Sequence, residues 1–189
     1  MKEGDVLEHG PASAEALRRL AILEESAGAG KFSAARWYVS PEILPPYRPD
    51  PTLRVMVGEE FEQFTPSSRE KFLRDSFQVT NESDRMGYRL SGGGLRLTKP
   101  VERISEPTAC GAIQAPPDGN MIVLLADRQT VGGYPKVAHV AAVDLPVIAQ
   151  VKPGESIRFR EIGLGEAQEL YCQRERQLWL LKCAVALRD

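Results

Sequence analysis

Cysteine and histidine are scarce in this chain of 189 residues. There are three cysteines, Cys110, Cys172 and Cys183, and two histidines, His9 and His139. An odd number of cysteines without CxxC spacing provides neither a disulfide framework nor a zinc site. Two histidines cannot build a His-rich metal centre, and no metal is expected. A Ser-His-Asp triad would depend on one of the two, and neither lies in a recognisable local pattern.

Long apolar runs are also missing. The runs at 122–126 and 178–181 fall far short of the roughly 20 residues that span a bilayer. The charged start, MetLysGluGlyAspValLeuGluHisGly, lacks the apolar stretch of a secretory signal, so a cytoplasmic protein without membrane contact is expected. Lys and Arg number 24 against 26 Asp and Glu, a formal net charge of −2. That balance supplies no basic field to hold nucleic acid. Neither GxxxxGK[ST] nor GxGxxG occurs, so a free-standing ATPase is not expected.

What remains is the pattern of a globular β protein with three parts. Residues 1–52 read as a linker-like segment. Helical apolar spacing at Ala16, Leu17, Leu20 and Leu23, with Ser13 placed to cap, is broken by Gly28–Gly30. Pro41, Pro45, Pro46, Pro49 and Pro51 then favour extended chain. Residues 53–162 read as a barrel of short strands at 53–57, 76–80, 85–90, 95–97, 112–115, 121–126, 136–143 and 156–162. Gly92–Gly94 reads as a hairpin turn between the strands beside it. Pro66–Asp75 reads as a helix with Ser67-Ser68-Arg69-Glu70 as a capping box. Residues 144–150 read as one short helix with Asp144 as its N-cap. Residues 163–189 read as a C-terminal helix.

Three segments carry more polar chemistry than a structural barrel requires: Ser83-Asp84-Arg85-Met86-Gly87-Tyr88-Arg89-Leu90, Gly111-Ala112-Ile113-Gln114-Ala115-Pro116-Pro117-Asp118-Gly119, and residues 124–136, LLADRQTVGGYPK. In the third, a buried strand runs directly into Asp127, Arg128, Gln129 and Thr130, then into Gly132, Gly133, Tyr134 and Lys136. Polar groups at the exit of a rigid strand, at the mouth of a barrel, are well held for binding. Arg128 offers a planar fork for a carboxylate or phosphate. Gln129 and Thr130 can orient an amide or carbonyl, and the two glycines let backbone approach a ligand closely. Plainer readings stand beside these. Asp127 and Arg128 could close a turn, Gln114 could face outward from an edge, and Asp84–Arg85 could be a surface ion pair.

Taken together and in this order, the three segments resemble the 5-oxoprolinase C-subunit family, also called KipA or allophanate hydrolase subunit 2 and grouped with biotin-dependent carboxyltransferases. ValAspLeuProValIleAlaGlnValLysProGly at 143–154 is a further similar stretch. The resemblance covers roughly residues 53–162 and implies a cyclophilin-like β-barrel. It implies one component of an ATP-dependent enzyme that opens 5-oxo-L-proline to L-glutamate. That component acts with 5-oxoprolinase subunits A and B, the latter KipI-like. The family's N-terminal half, with its Gly/Ala/Asn-rich motif, has no counterpart here and is expected as a further partner. Arg128, Gln129 and Gln114 would be the catalytic group. Asp84, Arg85, Asp127, Thr130, Gly132, Gly133, Tyr134 and Lys136 would bind substrate. ATP would be the cofactor of the complex. The same resemblance leaves open a biotin-dependent carboxyltransferase, as in urea carboxylase, or a non-catalytic protein that binds KipI.

Overall fold

The computed structural model describes residues 2, 4–27, 32, 34, 37–100 and 104–187. The glycines at 28–30 lie outside the described residues. The chain divides into two compact units, Met1–Ser40 and Pro41–Asp189.

The first unit carries helix α1, Ala14–Ala27. Ser13 caps it as expected, its Oγ accepting from the Ala16 N–H at 3.1 Å. Glu15 accepts from Arg18 and Arg19, one helical turn on.

The second unit is built on nine strands: β1 Thr52–Val57, β2 Phe77–Val79, β3 Gly87–Ser91, β4 Glu106–Pro107, β5 Ala112–Gln114, β6 Ile122–Leu124, β7 Val131–Gly132, β8 Lys136–Val140 and β9 Ser156–Glu161. Seven of them close a barrel in the order β1-β8-β5-β6-β3-β2-β9. All its pairings are antiparallel except β1 with β9, which closes the ring in parallel. The mainly β, cyclophilin-like barrel with short helices and a C-terminal helix is thus the observed fold. β4 and β7 form a separate two-stranded ribbon.

Alternation along the strands fills the barrel. Leu53, Val55, Val79, Leu90, Ile113, Val123, Val140, Ile157 and Phe159 are buried and belong to one continuous core. Phe159 stacks on Phe72 with ring centroids 4.7 Å apart and tilts against Phe77 at 5.8 Å. Phe72 comes from α2, Pro66–Arg74, which packs against β9. α3, Leu145–Ile148, carries the buried Val147 and Ile148. α4, Leu164–Ala186, has half-buried positions 167, 170, 174, 178, 181, 183 and 185, all but 183 at the helical spacing expected from its apolar residues. Among the described residues no helix is long and apolar enough to cross a membrane.

Three local expectations are corrected. β3 does not form a hairpin with 95–97. It pairs instead with β2 and β6, and Leu97 makes only an isolated bridge to Phe64. The chain turns away because Gly94 packs against the Pro116–Gly119 turn. Gly119 has φ +82°, and a Cβ there would stand 2.8 Å from the Gly94 Cα, so both positions must be small. The cap of α2 is Thr65, whose hydroxyl accepts from the Ser68 N–H, with Pro66 in the first turn. Asp144 makes no helix cap. It is claimed instead by Arg54 of β1, accepting from the Arg54 backbone N–H at 2.7 Å and its Nε at 2.9 Å.

Candidate functional site

Strand register places the polar residues. Directly opposed residues in an antiparallel pair share a face. Gln114 of β5 opposes Ile122 of β6, and Ile122 opposes Arg89 of β3. The Thr80 N–H donates to the Arg89 carbonyl, continuing the row past β2. Gln114, Ile122, Arg89 and Thr80 therefore lie side by side on the outer wall of the barrel, while Ile113, Val123, Leu90 and Val79 face the core. A cleft of about 810 Å³ lies along this wall. The Pro116–Asn120 turn bounds one part of it, and Thr108 and Gln129–Tyr134 bound another.

Gln114 is the most constrained polar group in it. Its residue is only 4% exposed, yet its Nε2 has no hydrogen-bond partner among the described residues. Gly132 on the ribbon strand β7 covers it: a Cβ there would stand 2.8 Å from the Gln114 Nε2 and 3.2 Å from the Thr108 Cγ2. The Thr80 Oγ1 is likewise buried and unpartnered and lines the same cleft. A buried polar group without a partner costs about 1–3 kcal/mol, so both atoms are poised to gain from a ligand that supplies one. A break in the β5–β8 register between Ile113 and Gln114 marks the bulge that aims Gln114. Gln114 thus faces outward, as its plainer sequence reading allowed, but it is buried.

The other sequence candidates separate into groups. Gln129, Gly132, Gly133, Tyr134 and Asp84 line the outer cleft with Gln114. Asp84 also builds the loop before β3, its Oδ1 accepting from the N–H groups of Met86 and Gly87. Arg85 and Asp127 pair at 3.3 Å on the rim of a second, more apolar recess of about 700 Å³. That recess is the barrel mouth. Tyr88, Leu125, Leu145 and Cys110 line it, and the Tyr88 hydroxyl donates to the Ala149 carbonyl at 3.3 Å. Burial pushes the Tyr88 phenol up from its ordinary value. The expectation that the polar residues 127–130 and the Gly132–Gly133 pair face the mouth is corrected: Asp127 does, whereas Gln129 and the two glycines turn to the outer wall.

Arg128 lines neither recess. Its guanidinium points to the carbonyls of Leu125 and Thr108, each at 3.5 Å, and its Nε is buried without a partner among the described residues. It lies near His139, whose imidazole is held below its ordinary pKa of 6.5 chiefly by burial, and further by the Arg128 charge. The Cys110 backbone opposes both. Thr130 is exposed, its carbonyl accepting from the Thr108 N–H. Lys136 opposes Gln114 across β5 and β8, and its Nζ is engaged by Glu106 at 3.0 Å while its backbone N–H donates to Glu60 at 2.6 Å.

His139 gives a pH prediction with a definite sign. Its folded pKa is depressed, so the unfolded chain takes up the proton first as pH falls. The stabilisation is complete above about 6.5 and is lost as pH falls through the folded value. The urea midpoint is expected to drop between pH 8 and pH 5.5, and His139→Gln to flatten that slope. A midpoint that rises on acidification would contradict this.

Among the described residues that line the outer cleft, charge is mostly negative: Arg89 is the one Lys or Arg, against Glu82, Asp84 and Asp118. In the mouth, Arg85 is paired with Asp127 and stands beside Asp84. Among the described residues, neither recess gathers the cations and backbone donors that hold a triphosphate. The described residues of this chain do not fit ATP.

A family model described as "Carboxyltransferase domain, subdomain A and B" matches residues 1–161, and the chain belongs to that family. The 5-oxoprolinase C-subunit of Haemophilus influenzae is 39% identical over 128 residues, covering 68% of this chain and 41% of that protein. The 5-oxoprolinase C-subunit of Escherichia coli is 36% identical over 137 residues, covering 72% and 44%. The chain therefore spans about two-fifths of the length of these relatives. The crystal structure of the K. lactis urea amidolyase matches the fold with a TM-score of 0.68 at 22% identity, covering 79% of this chain and 10% of that one.

Sequence reasoning missed Thr80, Arg89, Ile122 and Thr108. Arg89 lay inside a segment already singled out, and the alternation Tyr88-in, Arg89-out along one strand was the signal that could have found it. Thr80 and Thr108 reach the cleft only through strand order and the ribbon, which no local pattern displays.

Proposed function

We propose that this chain is the substrate-holding barrel of a 5-oxoprolinase, part of its C-subunit, acting in the cytoplasm. It works with 5-oxoprolinase subunits A and B and with a counterpart of the relatives' other half. The observation that carries this reading is Gln114: a buried amide without a partner among the described residues, aimed into the outer cleft, in a chain 36–39% identical to two 5-oxoprolinase C-subunits. A lactam is a stable amide, and opening it requires that its carbonyl be fixed and polarised. The Gln114 Nε2 donates to that oxygen, the Thr80 hydroxyl supports a neighbouring polar atom, and the ribbon strand β7 excludes water from the far side. Nucleotide binding belongs to the other components in this reading, and ATP supplies the activation there.

The test is reconstitution. Purified with subunits A and B and a counterpart of the relatives' other half, the chain is expected to support ATP-dependent glutamate formation. No turnover with the full set, where an intact full-length C-subunit restores it, would overturn the reading. Biotin-dependent carboxyl transfer is the second reading, favoured by the fold shared with urea amidolyase. It requires a biotinylated carrier among the co-purifying proteins, which avidin would reveal.

A further inference from the structure

The register row on the outer wall has a particular chemical order. Gln114 and Arg89 are separated by one strand, so their Cα atoms stand roughly 10 Å apart on the same face. Ile122, between them, presents only hydrocarbon. A neutral hydrogen-bonding amide, an apolar floor and a cation thus follow one another across three adjacent strands. All three line the same cleft, and Thr80 closes the row with a buried hydroxyl. Arg89 is exposed and makes no ion pair among the described residues, unlike Arg54, Arg85 and Lys136.

We propose that Arg89 is the specificity-determining residue of this cleft: it binds the carboxylate of a small cyclic amide acid whose ring rests on Ile122 and whose carbonyl accepts from Gln114. The inference deepens the reading given above and rests on it only for the identity of the ring. The spacing admits a compact ligand with one acidic group at one end and one carbonyl at the other. A urea or an unsubstituted lactam would leave Arg89 unused. A phosphate ester or polyphosphate would bring excess negative charge among Glu82, Asp84 and Asp118. One carboxylate meeting one arginine is what the lining accommodates, and the planar guanidinium suits it in a bidentate pair.

Calorimetric titration of the full chain with two probes separates the parts. 5-Oxo-L-proline carries the carboxylate and 2-pyrrolidinone is the same ring without it. The wild type is expected to bind the acid more tightly than the neutral lactam. Arg89→Gln is expected to weaken the acid by about tenfold or more while leaving 2-pyrrolidinone unchanged. Gln114→Leu is expected to weaken both. Arg89→Lys, which keeps the charge and loses the fork, should fall between. Circular dichroism checks that each variant is folded, and Arg89 is exposed enough to be replaced without disturbing the core. Equal losses for both probes, no loss in Arg89→Gln, or no binding of either probe by the wild type would each overturn the proposal. The outcome is distinct from that of reconstitution. The binding pattern can hold where the complex shows no ATP-dependent turnover. Conversely, a turning-over complex whose KM for 5-oxoproline is unmoved by Arg89→Gln would keep the broader reading and discard this one.

Discussion

Replacing Asp144 with alanine is expected to destabilise the barrel by about 3 kcal/mol or more. Asp144 is 4% exposed and lies 90 residues from its partner. One carboxylate accepts three times from Arg54: from the backbone N–H at 2.7 Å, from Nε at 2.9 Å and from Nη2 at 2.5 Å. Arg54 belongs to β1, the strand that closes the ring through its parallel pairing with β9. Removing the carboxylate strands a backbone donor and a partly buried guanidinium together. The side chain of Arg54 is one-quarter exposed, so water recovers part of its solvation and the loss belongs at the low end of the range for broken buried pairs. Asp144→Asn keeps the shape and one acceptor oxygen and should cost less. Urea denaturation read by circular dichroism gives the comparison. A midpoint for Asp144→Ala within error of the wild type would show that the pair is incidental to closure.

Gly132→Ala is expected to behave in the opposite way, with a large effect on binding and a small one on stability. The added methyl would stand 2.8 Å from the Gln114 Nε2 and 3.2 Å from the Thr108 Cγ2. What it meets first is the end of a flexible side chain rather than backbone, and Gly132 needs no left-handed conformation. The fold can therefore accommodate the methyl by swinging the Gln114 amide aside, at about 1 kcal/mol or less. The amide is then no longer where the ligand carbonyl must find it. Small misplacements of a positioning group cost about a hundredfold in rate. The reconstituted complex should lose activity on that scale while the thermal midpoint of the chain moves by only a few degrees. A variant that keeps its activity would show that Gln114 is not in contact with substrate. A variant that unfolds would show that β7 packs more tightly on the wall than the glycine contacts indicate.

These two residues also show what the sequence made legible. The barrel was legible because its strands alternate and its turns are marked by Gly and Pro, which is local information. Gln114 and Gly132 both stood out, the one as a polar break in an apolar strand, the other as half of a Gly-Gly step after polar residues. That they touch was not legible, because β7 is a two-residue strand paired with a strand equally short, and such segments have no period to detect. Arg128 lies away from both recesses for a related reason. A fork-shaped cation after a buried strand suggests a ligand, but its guanidinium is turned instead to the backbone carbonyls of Leu125 and Thr108. Asp144 precedes a Pro-containing helical turn and so resembles a cap. Its contact with Arg54 joins segments that no local rule connects. Gly94 has the sequence context of a hairpin turn, although its smallness serves the approach of Gly119.

Ligand binding on the outer wall, and not in the barrel mouth, is tested most directly by side-chain NMR during a titration with 5-oxo-L-proline. The Gln114 amide pair and the Ile122 methyl resonances are expected to shift together and saturably, while the Leu125 and Leu145 methyls at the mouth stay in place. Saturable shifts of Leu125 and Leu145 with the Gln114 amide unmoved would contradict binding at the wall.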